Sequence, residues 1–167
     1  MENLVLYPSA ASQWHALINE AQLARACQLN EELESYLVFM LMRYSTTSTM
    51  FSTILADEFF ASTHLLGQLK ADKLRDLGDK SLLFAGLFPG LAARRHVSKR
   101  YFIDMGQSAY GILSEMHSIS LSETYAALSE EFVLLTEVLD STRHLSPSKM
   151  EAQILQFMEN SNSIKKQ

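Results

Sequence analysis

Apolar residues recur along most of this chain at intervals of three and four, and no stretch keeps up an apolar/polar alternation, so the pattern predicts helices and no strands. A first helix is expected from about Ala10 to Leu29, with Ser9 after Pro8 as its N-cap and Trp14, Leu17, Ile18, Ala21 and Ala24 on its inward stripe. Asn30 is read as the cap of a second helix. Its first turn carries Glu31, Glu32 and Glu34, where the macrodipole favours acid, and Leu33, Tyr36, Leu37, Met40, Leu41 and Tyr44 follow at helical spacing. Because its centre is apolar almost all round, this helix is expected to be the core helix of the fold.

The hydroxyl-rich stretch Ser45 to Thr49 breaks the pattern, since serine and threonine bond nearby backbone groups in place of the helix ladder. A third helix is expected from Met50 to about Ala61, and a fourth from about Lys70 to Phe88, stopped by Pro89-Gly90. After a loop from Gly90 to Val97, Ser98 caps a fifth, with Phe102, Met105, Ala109, Leu113 and Met116 on one stripe. A sixth begins at Ser120 or Ser122, where Ser120-x-x-Glu123 matches a capping box, and runs to about Arg143 with Tyr125, Leu128, Phe132, Leu135 and Leu139 inward. Ser146-Pro147 opens a short seventh, and the polar residues after Met158 are expected to fray. The prediction is an all-α protein: one domain over residues 1–167, an irregular or orthogonal bundle of six to seven helices. A length of 167 residues with 47% apolar content suits one core.

Candidate chemistry adds little to this picture. The longest apolar runs, Tyr36 to Met42 and Leu82 to Leu87, are far shorter than the roughly 20 residues a membrane span needs, and no leader pattern opens the chain. A cytoplasmic location is expected. The lone Cys27 rules out an internal disulfide and reads as a small packing residue. Glu-x-x-His ligand spacing is absent, and the five histidines fall on separate segments. His64, followed by Leu65-Leu66, is a candidate axial ligand for haem, but a histidine near a helix end explains it as well. No phosphate-cradling glycine motif and no Gly-x-Ser-x-Gly elbow occurs. No catalytic residue, metal ligand or cofactor is therefore predicted, and the expected role is non-enzymatic.

Charge changes the picture more. Residues 1–69 carry 2 basic and 7 acidic side chains, residues 70–100 carry 8 and 3, and residues 101–167 carry 4 and 9, so a middle of +5 is flanked by two segments of −5. The positive charge concentrates in Arg94, Arg95, Lys99 and Arg100, with His96 and Tyr101 completing the candidate partner-binding cluster, before and on the first turn of the fifth helix, where cations oppose the macrodipole. Such a cluster needs acidic company. Asp79 and Asp104 of the same chain, an acidic protein surface and nucleic-acid phosphate all qualify, and Arg100 and Asp104 stand at i, i+4. A pI near 5.5 argues against a large nucleic-acid footprint.

The segments Leu77-Gly78-Asp79-Lys80-Ser81-Leu82, Gly86-Leu87-Phe88-Pro89, Val97-Ser98 and Tyr101 to Gly106, with Arg95 and Ala109-Tyr110, carry a resemblance. Over roughly residues 36–139 the chain resembles a group of small helical bacterial proteins of unassigned function. The resemblance implies no reaction, cofactor or partner, only that residues 78–110 act as a unit. Gly78 and Gly106, costly inside helices, point to a close crossing of the fourth and fifth helices as an antiparallel pair. Asp79, Arg95, Tyr101, Asp104 and Tyr110 would gather near that crossing, as a polar network that fixes the hairpin or as the floor of a site. The leading functional expectation is an interaction or regulatory protein that binds another protein, or a second copy of itself, through the basic hairpin around residues 90–101. An RNA- or ribosome-associated factor using the same cluster is the alternative, and a helical bundle binding a small ligand or haem comes third.

Overall fold

A computed structural model describes residues 9–45, 64–88, 90, 96–116 and 119–145. Among them are six helices and no strand: α1 Ala10–Ala24, α2 Glu31–Ser45, α3 Gly67–Leu87, α4 Lys99–Met116, α5 Ile119–Glu130 and α6 Phe132–Leu145. The fold is an all-α bundle. The expected third helix, from Met50, and seventh helix, from Ser146, lie outside the described residues, as does the chain after Met158.

Local sequence sets three of the six described helix starts. The Ser9 hydroxyl accepts the Ser12 N–H, Asn30 Oδ1 accepts the Leu33 N–H at 2.8 Å, and the Ser98 hydroxyl accepts the Tyr101 N–H. α3 begins at Gly67, three residues before the expected Lys70, and α5 begins at Ile119, so Ser120 lies inside the helix rather than capping it.

Two helix ends depart from expectation for identifiable reasons. α1 stops at Ala24, not Leu29. Ala26 takes a left-handed φ of 52°, its N–H bonds the Leu23 carbonyl, and the Cys27 N–H bonds the Gln22 carbonyl, which together form a Schellman stop. Gln22 then bends its buried amide back to accept the Leu29 N–H at 2.7 Å. With the helix ended there, Ala24 faces solvent instead of the core. The expected sixth helix is two helices, α5 and α6, broken at Glu131. Just before the break, Gln107 of α4 donates its amide to the Ser129 carbonyl while the Ser129 hydroxyl donates to the Gln107 carbonyl. A side chain bonding into the helix ladder is a recognised cause of such kinks.

The core helix is α3, not α2. Every residue from Ser81 to Phe88 is buried, whereas α2 leaves Phe39 exposed. α3 and α4 run antiparallel, since Gly78 faces Tyr110, Ser81 faces Gly106 and Phe84 stacks on Phe102 at 5.1 Å. A Cβ at Gly78 would lie 2.6 Å from the Tyr110 ring, and one at Gly106 would enter the Phe132 ring. Both glycines thus permit close approach, which offsets their cost within a helix. α6 packs on α3 where Gly86 meets Leu139, and on α1 where Arg25 bonds Glu137 at 3.2 Å and Ser141 at 3.3 Å. The inward stripe of Leu128, Phe132, Leu135, Val138 and Leu139 is fully buried between them. Cys27 packs half-buried against the core.

Candidate functional site

Asp79 sits at the centre of α3 with no solvent-accessible surface. A lone carboxylate there would be strongly disfavoured, so its stability depends on what the neighbouring helices bring to it. Tyr36 of α2 and Tyr110 of α4 each donate a hydroxyl to Oδ1 at 2.6 Å, and Arg43 of α2 donates to Oδ2. Three helices are thereby pinned to one carboxylate. Tyr36 and Arg43 are seven residues apart, two turns on one face of α2, which is why one helix can serve both carboxylate oxygens.

Aromatic packing encloses the cluster. The rings of Tyr36, Tyr110 and Tyr125 stand 6.2 to 6.4 Å from one another, and Phe132 lies 6.0 Å from Tyr110. The Arg43 guanidinium lies 4.8 Å over the Tyr44 ring, with 41% of its side chain still reaching solvent.

Burial pushes the Asp79 carboxyl above its ordinary range, although Arg43, the two phenols and Arg75 all pull it back. Tyr36 and Tyr110 are held well above ordinary tyrosine, first by burial and then by the adjacent Asp79 charge. Tyr44 and Tyr125 shift upward for the same two reasons. Burial lowers Arg43, but Asp79, Tyr44 and Tyr36 together outweigh it and hold the guanidinium above its usual value. The asymmetry of the pair is physical: Asp79 loses all its water, Arg43 only part. Each carboxylate oxygen accepts a donor from another helix, so the cluster braces α2, α3 and α4 together.

The basic turn is built differently. His96 is exposed with a left-handed φ of 56°, and Lys99 and Arg100 are exposed on the first turn of α4, which contains no acidic residue. Arg100 pairs with Asp104 at 2.9 Å, and Asp104 is 58% exposed. Tyr101 is half-buried against Phe102, and its N–H is the one capped by Ser98. Arg94 and Arg95 lie outside the described residues.

Of the five residues expected to gather near the crossing, Asp79 and Tyr110 do meet. Asp104 turns outward to Arg100 and Tyr101 stays beside Phe102, so neither joins Asp79. The helix face explains the difference, because Asp104 lies near the solvent side of α4 while Tyr110 lies on the side facing α3. Sequence reading missed Tyr36 and Arg43. Arg43 is the only charged residue between Glu34 and Asp57, and a cation within such an apolar stretch was the available signal. Among the described residues no three His, Cys, Asp or Glu side chains converge as a metal site requires, and none of their helices is long and apolar enough to cross a membrane.

No protein family, curated protein or solved structure is detectably similar to this chain.

Proposed function

We propose that the chain is a non-enzymatic cytoplasmic interaction protein, and that it binds an acidic surface on a partner protein through the basic turn into α4. The observation that supports this reading is the electrostatic placement of Lys99 and Arg100. Both are exposed on a helix N-terminus whose first turn holds no acid, so their charges add to the positive end of the macrodipole. A partner carboxylate docked there meets Lys99 and Arg100 at the positive end of the helix, with the exposed His96 just before it. The Arg100–Asp104 contact does not compete strongly, since an exposed i, i+4 pair contributes only about 0.3–0.5 kcal/mol. The Asp79 brace serves this role indirectly by fixing α4 against α2 and α3.

The test is affinity purification from cells at increasing salt, comparing the unaltered chain with Lys99→Glu/Arg100→Glu. The expected result is a protein retained at low salt, released as salt rises and absent with the double variant. Retention that nuclease treatment abolishes would replace the protein partner with RNA. Retention equal for both chains would remove the basic turn from the reading.

A further inference from the structure

α1 and α2 run antiparallel, with His15 against Glu34 and Gln22 against the Leu29 backbone, and their outer faces enclose a groove of about 520 Å3. Its α1 wall is Ala11, Ser12 and Ala16 together with the larger His15 and Asn19. Its α2 wall is Val38 and Phe39. Phe39 is 65% exposed on a helix whose Leu33, Leu37, Val38, Met40 and Leu41 are all buried. The exposed Phe39 ring borders this groove, and a contiguous apolar face rather than a single exposed side chain is what marks a contact site.

The face continues beyond the groove. Leu23 stands four residues after Asn19 on α1, and it is 82% exposed. Eleven residues separate Ser12 from Leu23, about 16 Å along the axis, so apolar side chains mark both ends of a face three turns long. Glu20 stands four residues after Ala16, and Glu31 four residues before Ser35, which places one carboxylate on each side of the far half. Both are exposed and neither forms an ion pair among the described residues.

We propose that this face is a second docking surface, and that its occupant is a basic amphipathic helix of a partner protein. The apolar side of such a helix covers Phe39 and Leu23, and its lysines or arginines reach Glu20 and Glu31. Helix-in-groove recognition uses this division of labour, apolar anchors at i, i+4, i+7 and i+11 with charges on the flanks. The surface is distinct from the basic turn and opposite in sign.

Two labelled peptides of about 18 residues test it, sharing leucines at those four positions but flanked by lysine in one and by glutamate in the other. Fluorescence anisotropy against the full chain is expected to show the basic peptide binding at least about tenfold more tightly than the acidic one. Phe39→Ser should weaken the basic peptide by about tenfold or more while leaving the helical circular dichroism and Tm unchanged, because the ring makes little core contact. Glu20→Gln/Glu31→Gln should narrow the gap between the two peptides. Equal affinity for both peptides, binding indifferent to Phe39→Ser, or no binding of either would overturn the proposal. Sedimentation of the chain alone supplies one more outcome: a dimer dispersed by Phe39→Ser would make the face a self-interface and equally refute the proposed occupant.

Discussion

Replacing Arg43 with methionine keeps much of the side chain's apolar length but leaves the buried Asp79 carboxylate without its cation. Removing one partner of a buried pair typically costs about 3–5 kcal/mol, because the other charge stays desolvated. Arg43 is itself 41% exposed, and two phenols still hold Oδ1, so about 2–4 kcal/mol is the better expectation near neutral pH. Asp79 can escape the cost by taking up a proton. Its folded-state pKa already stands above the ordinary 3.8 because of burial, and loss of Arg43 raises it further. A carboxyl raised in the folded state contributes stability that is present below the unfolded value and lost as pH climbs through the folded one. The deficit of Arg43→Met relative to the unaltered chain is therefore largest near pH 7 and shrinks toward the acid side. Urea unfolding followed through the buried Trp14 at several pH values measures it. Arg43 also lies over Tyr44, so the cycle with Asp79→Asn isolates the pair: Arg43→Met/Asp79→Asn should be more stable at pH 7 than Arg43→Met alone. A deficit that does not change with pH, or a double variant less stable than Arg43→Met, would refute the reasoning.

Two further substitutions test the packing. Gly106→Ala drives a methyl into the Phe132 ring, and although alanine is the better helix former by about 1 kcal/mol, overpacking should prevail with a net loss of about 2 kcal/mol, read from the urea midpoint. Ala26→Gly relieves the left-handed residue that ends α1 and should stabilise the chain by about 0.5–1 kcal/mol, visible as a higher Tm; a lower Tm would contradict the Schellman assignment.

Helical class, the approximate extents of α2, α3 and α4, the start of α1 and the caps Ser9, Asn30 and Ser98 were legible because each depends on residues within one or two turns. Spacing of three and four marks a buried face wherever that face ends up. The glycines were legible too, since Gly78 and Gly106 inside otherwise good helices announce a close approach without naming the neighbour. The same local logic misplaced the end of α1. Ala26 adopts the left-handed conformation that glycine would have signalled, and nothing about alanine advertises it.

Which helix lies at the centre, and which residues surround Asp79, were decided only by tertiary structure. Arg43 and Tyr36 lie 36 and 43 positions before Asp79 and Tyr110 lies 31 after it, separations that no helical period relates. The kink at Glu131 has the same origin, because the Gln107 amide that bonds Ser129 comes from 22 residues away. Periodicity tells a helix which side to bury. It carries no information on which other side it will meet, and a buried charge is tolerated or not according to that meeting alone.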